Sequence, residues 1–383
     1  MRKLFALLLL AVSCARVITV ENPMDIDRRG EMVSVDAPKG VFRLLDARGA
    51  EVTYQITYDG KLIFQADVPS LGKATYRLVK GTPAPMDTVA CGSLRPDRLD
   101  DIIWENDHSG WRMYGPGTHA AGAAAYGYDV FTKSVPYPVM TRRFDVDHNP
   151  ASWEQIAAWR AQGLNEKADS LLNAISFHVD HGDGMDVYSV GSSLGCGTAA
   201  LLDADGKIIY PWCWESYQIL DNGPLRFTVR VIMDGGKETR TISCDAGSWL
   251  NRVELDYGEG DAEKSLVAGI VIHSSNPDAY AMDSNIIAYA DLGDPNPGSN
   301  GEIYCGVFVP SVISSPSVIS SEVERSPVTV EQGHILLHDT WHPGYTYFFG
   351  SGWSKAGIAS LQEWCGILSS ERTRILNPLK ASL

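Results

Sequence analysis

The chain has 383 residues, of which 44% are hydrophobic and 21% charged, and this composition excludes an intrinsically disordered protein. Its 47 acidic and 32 basic side chains give a formal net charge of -15. That balance argues against nucleic acid as a partner, because phosphate binding requires clustered lysine and arginine. An anionic sugar stays open as a ligand, since a local basic pocket can lie in an acidic surface.

The N-terminus predicts export. MRKLFALLLLAVSCA begins with two basic residues, continues with a short apolar run and ends in small residues before Cys14. The run is too short to span a bilayer as a helix, so residues 1–16 are interpreted as a signal segment. Ala11-Val12-Ser13-Cys14 resembles a bacterial lipobox and predicts lipidation of Cys14, with plain signal cleavage as the alternative. The expected location is the periplasm or the outer-membrane surface as a lipoprotein, and otherwise the protein is secreted.

A small N-terminal β-sandwich module is predicted for residues 17–85. Short runs rich in β-branched and aromatic residues alternate there with turn residues. Tyr58-Asp59-Gly60-Lys61 is typical of a β-hairpin with a type I′ turn, because Asp-Gly tolerates the positive φ angles that this turn requires. A proline-containing stretch near residues 82–89 marks the end of the module.

Residues 86–383 predict a second, larger domain that is also mostly β. Evenly spaced strand-like runs such as RFTVRVIMD and SLVAGIVIHS indicate a large antiparallel β-sandwich. Helical spacing interrupts them after Ser152, where Ser152 and Gln155 resemble a capping box, and again near residues 355–376. The Ser/Pro-rich stretch at 310–328 predicts a surface loop.

Six further cysteines are scattered through the chain without a CxxC pair, which disfavours a zinc ribbon. An exported protein could pair them in 15 ways, or keep them as buried thiols. They are Cys91, Cys196, Cys213, Cys244, Cys305 and Cys365.

The first stretch with candidate catalytic or binding residues is WENDHSGWRMYGPG, residues 104–117. Strand alternation places Trp111 and Met113 on one face and Arg112 and Tyr114 on the other. Arg112 could grip a sugar carboxylate in a bidentate manner, or it could pair with a nearby acid of the protein. Candidate substrate-binding residues in the same region are Asn106 and, in a following strand-like run, Lys133.

FHVDHGDGMDVYSVGSSLGCG, residues 177–197, gathers histidines, aspartates and glycines. Its spacing does not fit a zinc site, an EF-hand or a P-loop, so no metal site and no cofactor are expected, with a structural Ca²⁺ left as an alternative. A glycine-shaped loop that presents His181 and Tyr188 to a ligand is one interpretation, and a structural crossing between strands is the other.

Two further aromatic stretches supply candidates. HDTWHPGYTYFFG contains His342 and Tyr345 beside a Pro-Gly turn. WCWESY places Trp212 and Trp214 on one strand face, either as core residues or as a platform on which a sugar could stack.

Four motifs together resemble a Bacteroidetes family of exported proteins, the domain of unknown function 4861 family. They are WENDHSGWRMYGPG, HGDGMDVYSVGSSLGCGTA, ETRTISCDAGSWLNRVELDY, and YFFGSGWSK followed by EW. The family typically shows an arginine after Glu-Asn-Asp, where this sequence has His108. The resemblance covers about residues 17–380 and implies a galactose-mutarotase-like supersandwich, a genomic setting in polysaccharide utilisation, and chemistry on uronic-acid oligosaccharides that includes lyase-like loss of water.

The function expected from these features is β-elimination on a uronate oligosaccharide, by a lyase or an oligosaccharide dehydratase. In this hypothesis Arg112, helped by Asn106, stabilises the carboxylate; His181 or His342 is the base; and Tyr114 or Tyr188 is the acid. One alternative is a glycoside hydrolase or epimerase using carboxylates among Glu105, Asp183, Asp186 and Glu215. The other alternative is a non-catalytic glycan-binding lipoprotein that depends on Trp212 and Trp214.

Overall fold

The computed structural model describes residues 16–258, 264–310 and 327–383. The predicted signal segment with Cys14, and most of the Ser/Pro-rich stretch, lie outside the described residues. The described chain divides into two compact units, one running to Asp87 and including Pro378–Leu383, the other formed by Thr88–Asn377.

The strands of the described residues form five sheets, and the paired strands of each sheet run antiparallel. In chain order they are β1 (Arg16–Glu21), β2 (Arg28–Asp36), β3 (Phe42–Leu45), β4 (Tyr54–Ile56), β5 (Lys61–Val68), β6 (Lys73–Lys80), β7 (Cys91–Arg95), β8 (Asp101–Glu105), β9 (Ser109–Met113), β10 (Asp129–Lys133), β11 (Gly184–Asp186), β12 (Cys196–Leu202), β13 (Ile208–Ile209), β14 (Trp214–Asn222), β15 (Arg226–Met233), β16 (Glu238–Asp245), β17 (Leu250–Asp256), β18 (Lys264–Val271), β19 (Tyr280–Asp283), β20 (Ile286–Asp291), β21 (Ile303–Phe308), β22 (Val328–Glu331), β23 (His334–Trp341), β24 (Tyr345–Trp353) and β25 (Lys380–Ser382).

The helices are fewer and lie in the second unit. They are α1 (Pro116–Ala120), α2 (Met140–Asp147), α3 (Pro150–Ala161), α4 (Asn165–Ile175) and α5 (Leu361–Leu376). Within the described residues, no helix combines the length and the apolar character that crossing a membrane would require.

The first unit is a small β-sandwich with sheet orders β25-β1-β6-β3 and β2-β5-β4. Alternating apolar residues of both sheets, including Ile18, Leu44 and Phe64, are buried between the layers. The C-terminal strand β25 pairs with β1, so the last residues belong to this unit and not to the larger domain predicted for 86–383. The β4–β5 hairpin is present, but only Gly60 has a positive φ, so the predicted type I′ turn is wrong.

The second unit is built on an eight-stranded sheet with the order β14-β15-β16-β17-β24-β21-β20-β19. Its inner face shares one large apolar core with two five-stranded sheets, β13-β12-β18-β23-β22 and β11-β10-β9-β8-β7. Helix α5 covers part of the outer face through Trp364 and Leu368, next to β20 and β21. The predicted fold, a mostly β chain with a large antiparallel sandwich, a small N-terminal β module and a few helices, is confirmed.

The predicted helical region after Ser152 is two helices. Gly163, at φ +72°, ends the α3 segment, because a left-handed conformation is easily reached only by glycine. Asn149 caps α3 by accepting a hydrogen bond from the amide of Ala151, so the cap is not the Ser152 box that the sequence suggested. Ser360 caps α5 in the same way through the amide of Glu363.

Candidate functional site

Arg112 lies on β9, on the face opposite the core residues Trp111 and Met113, as the strand alternation predicted. It is not accessible: its side chain is 5% exposed and lies under Phe144 of α2. It forms ion pairs with Asp129 and, at 3.0 Å, with Asp186. Arg112 therefore pairs with acids of the protein, and it is not placed to bind a substrate carboxylate.

Tyr114 belongs to the same cluster. Its ring lies 4.7 Å from the Arg112 guanidinium carbon, and its hydroxyl donates to Asp129 at 2.6 Å. Burial, and then the charge of Asp129, raises the pKa of Tyr114 well above its ordinary value. We call Asp101, Arg112, Tyr114, Asp129 and Asp186 the arginine cluster.

The arginine cluster contains more acids than bases. Burial raises the pKa of both Asp101 and Asp186 to about 6, although Arg112 opposes the shift in each case. One Asp101 carboxylate oxygen has no hydrogen-bond partner among the described residues, and it lies 3.8 Å from a guanidinium nitrogen. Three carboxylates on one guanidinium make the cluster a buried ionic support for this sheet.

Lys133 and Asn106 are also buried. The Lys133 amine pairs with Glu105 at 2.7 Å, and Glu105 accepts from the amides of Val139 and Met140 at the start of α2. The Asn106 amide group donates to two backbone carbonyls, those of Asp245 and Ser248. Both predicted substrate-binding residues therefore hold protein segments together, and their polar atoms point away from solvent.

The glycine-rich loop does not bring its predicted residues together. His181 is exposed, and within the described residues its side chain makes no hydrogen bond or ion pair. Tyr188 is buried, 4% exposed, with its hydroxyl beside the Cys305 thiol. Burial, followed by the Cys305 and Cys196 thiols, raises the pKa of Tyr188 well above its ordinary value. Tyr188 is thus a core residue and His181 a surface residue, so the loop does not present both side chains at one surface.

His342 and Tyr345 occupy a turn and a core strand. The His342 ring contacts the carbonyl of Pro343 at 3.0 Å and the edge of Tyr345. Tyr345 is 2% exposed and donates to Asp339 at 3.0 Å. Tyr345 therefore has no face left for a sugar.

The predicted tryptophan pair divides into one exposed and one core residue. Trp214 begins β14 and is 5% exposed, whereas Trp212 precedes the strand and is 55% exposed. Trp212 stands on the wall of a cleft of about 570 Å³, together with Tyr210 and Pro211. This volume and an exposed indole suit a sugar ring. We call this cavity the tryptophan cleft.

The tryptophan cleft is also lined by charged side chains. They are Asp234, Lys237 and Glu238 around the β15–β16 connection, and Lys264 at the start of β18. Lys237 is paired with Asp234 at 3.3 Å. Lys264 is partly exposed and has no hydrogen bond or ion pair to any described residue. A carboxylate bound in the cleft could therefore form an ion pair with the Lys264 ammonium group.

His119 lies at the edge of the tryptophan cleft, with its ring centroid 4.7 Å from Trp212. Its Nε2 contacts the carbonyl of Ala125 at 3.2 Å. A carbonyl can only accept, so this contact assigns the proton to Nε2 and leaves the Nδ1 lone pair able to take a proton. In the same cleft, burial, followed by the charge of Tyr126, raises the pKa of Tyr210, which keeps its phenol protonated.

The cleft residues besides Trp212 were missed from the sequence. The sequence could have indicated Tyr210, because this aromatic residue lies two positions before Trp212 in KIIYPWCW. His119 is the ionisable residue of an otherwise small, apolar run, THAAGAAAY. Lys264 carried no local signal, since it joins Trp212 only through the pairing of β12 with β13 and β18.

The four carboxylates assigned to a hydrolase do not face one another. Glu105 pairs with Lys133, Asp183 with Arg142 and Arg143, and Asp186 with Arg112, while Glu215 accepts from the amide of Gly235. Among residues 16–258, 264–310 and 327–383, no three His, Cys, Asp or Glu side chains are grouped to hold a metal ion. The aspartates of the glycine-rich loop are therefore engaged with arginines and backbone.

Two solved structures align with most of the chain. An α-mannosidase from Enterococcus faecalis V583 covers 96% of it at 8% identity, with a TM-score of 0.42. A glycosyl hydrolase family 38 protein from Enterococcus faecalis also covers 96% at 8% identity, with a TM-score of 0.38. This chain spans 46% and 47% of those two proteins, a little under half their length.

Comparison of the amino-acid sequence finds a similar protein and a matching family. "Uncharacterized protein P7" from Formosa agariphila is 27% identical over 308 residues, which is 72% of this chain and 71% of the relative. Residues 20–381 match the family described as Domain of unknown function (DUF4861). This chain therefore belongs to the DUF4861 family, as its four sequence motifs predicted.

Proposed function

We propose that this protein is an exported carbohydrate-active protein that binds a uronic-acid-containing oligosaccharide in the tryptophan cleft and acts on it by β-elimination. The observation that carries the proposal is a cleft lined both by aromatic rings, those of Trp212 and Tyr210, and by Lys264, which has no partner among the described residues. A uronate has the matching two sides, an apolar ring face and a carboxylate.

Residues at the cleft can supply the three roles that elimination requires. Lys264 would neutralise the carboxylate and the enolate-like charge that develops when the adjacent proton leaves. His119 would take that proton at Nδ1, and Tyr210 would protonate the oxygen that departs from C4. The carbon–hydrogen bond at C5 and the carbon–oxygen bond at C4 break, and a double bond forms between C4 and C5.

Ultraviolet absorbance of that double bond tests the proposal. Incubation with uronate oligosaccharides should raise the absorbance, and His119→Ala should abolish the rise. His181→Ala and His342→Ala are matched controls that should keep wild-type rates, because both histidines lie outside the cleft. Elimination is rejected if no uronate substrate gives absorbance while a known lyase on the same samples does.

A second candidate function, glycan binding without turnover, is favoured by the 55% exposure of Trp212. It expects sugar binding by calorimetry that survives His119→Ala and is lost in Trp212→Ala. Trp153→Ala is the matched control, because Trp153 is also exposed, at 44%, but lies on α3. A saturated product would instead indicate hydrolysis, for which Asp234 and Glu238 are the carboxylates that line the cleft.

A further inference from the structure

The aromatic wall of the tryptophan cleft continues beyond the cavity. The ring of His119 lies 4.7 Å from Trp212 and 5.6 Å from Tyr126. Tyr126 in turn stacks on Tyr210 at 5.2 Å, with the two ring planes 26° apart. Each of these four rings is at least partly exposed. We call Trp212, His119, Tyr126 and Tyr210 the aromatic shelf.

The rings of the aromatic shelf differ in their charged neighbours. Lys237 and Lys264, with Asp234 and Glu238, line the tryptophan cleft together with Trp212 and Tyr210, whereas Tyr126 is not among the lining residues. Beside Tyr126, residues 120–125 read AAGAAA and contain no ionisable side chain. The glycine-rich loop reaches the same segment, where the Ser192 hydroxyl donates to the carbonyl of Ala124 at 3.4 Å, and residues 190–195, VGSSLG, are also uncharged.

These neighbours determine which kind of sugar can bind beside Tyr126. A carboxylate beside Tyr126 would be partly desolvated without a cation to compensate it, which costs free energy. A neutral ring would lose little, because its apolar face can stack on the phenol. Tyr126 is itself partly exposed.

We propose that Tyr126 forms a second subsite that takes a neutral sugar joined to the uronate in the tryptophan cleft. The ligand class is then an oligosaccharide in which an acidic and a neutral sugar adjoin. This inference rests on the proposed function, because it places the uronate beside Lys264.

Titration calorimetry with three ligands tests the subsite: a free uronic acid, a disaccharide of a uronate and a neutral sugar, and a disaccharide of two uronates. The mixed disaccharide should bind the wild-type protein about tenfold more tightly than the free acid, a gain of about 1.4 kcal/mol. The disaccharide of two uronates should show no such gain. Equal affinity for the free acid and the mixed disaccharide, or tighter binding of the disaccharide of two uronates, would overturn the inference.

Variants of Tyr126 test whether its ring causes the gain in affinity for the mixed disaccharide. Tyr126→Ala should remove the tenfold difference and leave the affinity for the free acid unchanged, whereas Tyr126→Phe keeps the ring and should retain the difference. Tyr126→Leu, which preserves apolar volume, replaces the alanine variant if that one melts early. Tyr137→Ala is the control, since Tyr137 is a tyrosine with 57% exposure that lies apart from the aromatic shelf.

The outcomes separate the two proposals. Binding of no uronate ligand by the wild-type protein would reject the proposed function itself. Binding of the free uronic acid without any gain from a neutral neighbour would reject only the Tyr126 subsite.

Discussion

The arginine cluster and the tryptophan cleft are made of similar groups, yet they suit opposite roles. Both combine cations, carboxylates and aromatic rings. In the cluster, Arg112 is 5% exposed and its charge is already shared by three aspartates. In the cleft, Trp212 is 55% exposed and Lys264 has no partner among the described residues. A ligand can gain free energy only where protein groups are accessible and not yet satisfied, so the difference separates structural support from a binding site.

The largest expected effect is on stability, in Arg112→Ala. Removing the guanidinium leaves three buried carboxylates without their cation, and breaking a buried ion pair in this way costs about 3–5 kcal/mol. Denaturant unfolding should show the loss. Arg142→Ala is the control, because Arg142 is 61% exposed and Asp183 keeps Arg143, so about 1 kcal/mol or less is expected. A stable Arg112→Ala protein that has lost sugar binding would reverse the roles given to the two regions.

Lys264→Ala should have the next largest effect, on binding alone. Affinity for a uronate ligand should fall about tenfold, since one ion pair to the ligand is lost, while the melting temperature stays unchanged because Lys264 has no partner to lose. Calorimetry and thermal unfolding measure the two quantities. Lys207→Ala, in the exposed turn before β13, should alter neither. Unchanged uronate affinity in Lys264→Ala would show that Lys264 does not bind the carboxylate.

The smallest effect is the pH dependence of stability. Asp101 and Asp186 have folded-state pKa values of about 6, above the value of about 3.9 for an aspartate in an unfolded chain. Between these values the folded protein binds more protons, so the cluster's contribution to the free energy of unfolding rises as the pH falls from about 7 towards 4.

Comparison of Asp101→Asn with the wild-type protein isolates that contribution from other titrating groups. The gain in melting temperature on acidification from pH 7.5 to 5 should be smaller in the variant, because one titrating carboxyl has been removed. Asp205→Asn, an exposed aspartate of a surface turn, serves as the control. An identical gain in Asp101→Asn and wild type would show that the cluster does not hold a proton.

Local periodicity predicted the strand content and even the two faces of β9, with Arg112 and Tyr114 opposite Trp111 and Met113. It could not predict that Arg112 would be covered, because the cover comes from Phe144 of α2, 32 positions later in the chain. The same limit explains the tryptophans: period two joined Trp212 to Trp214, but β14 begins only at Trp214, and Trp212 lies outside the strand pleat.

The site itself depends on pairings between distant segments. Trp212 and Lys264 line the same cleft, and the segments that carry them are joined through β12, which pairs with both β13 and β18. The histidines of the glycine-rich loop lie outside the cleft, whereas its uncharged residue Ser192 contacts Ala124, next to the aromatic shelf.

A crystal structure of the protein soaked with a uronate-containing disaccharide would test the central claim most directly. We expect density for the uronate ring against Trp212, with its carboxylate within hydrogen-bond distance of the Lys264 amine. A uronate bound instead at the arginine cluster, or beside His181, with the tryptophan cleft lacking sugar, would contradict the account.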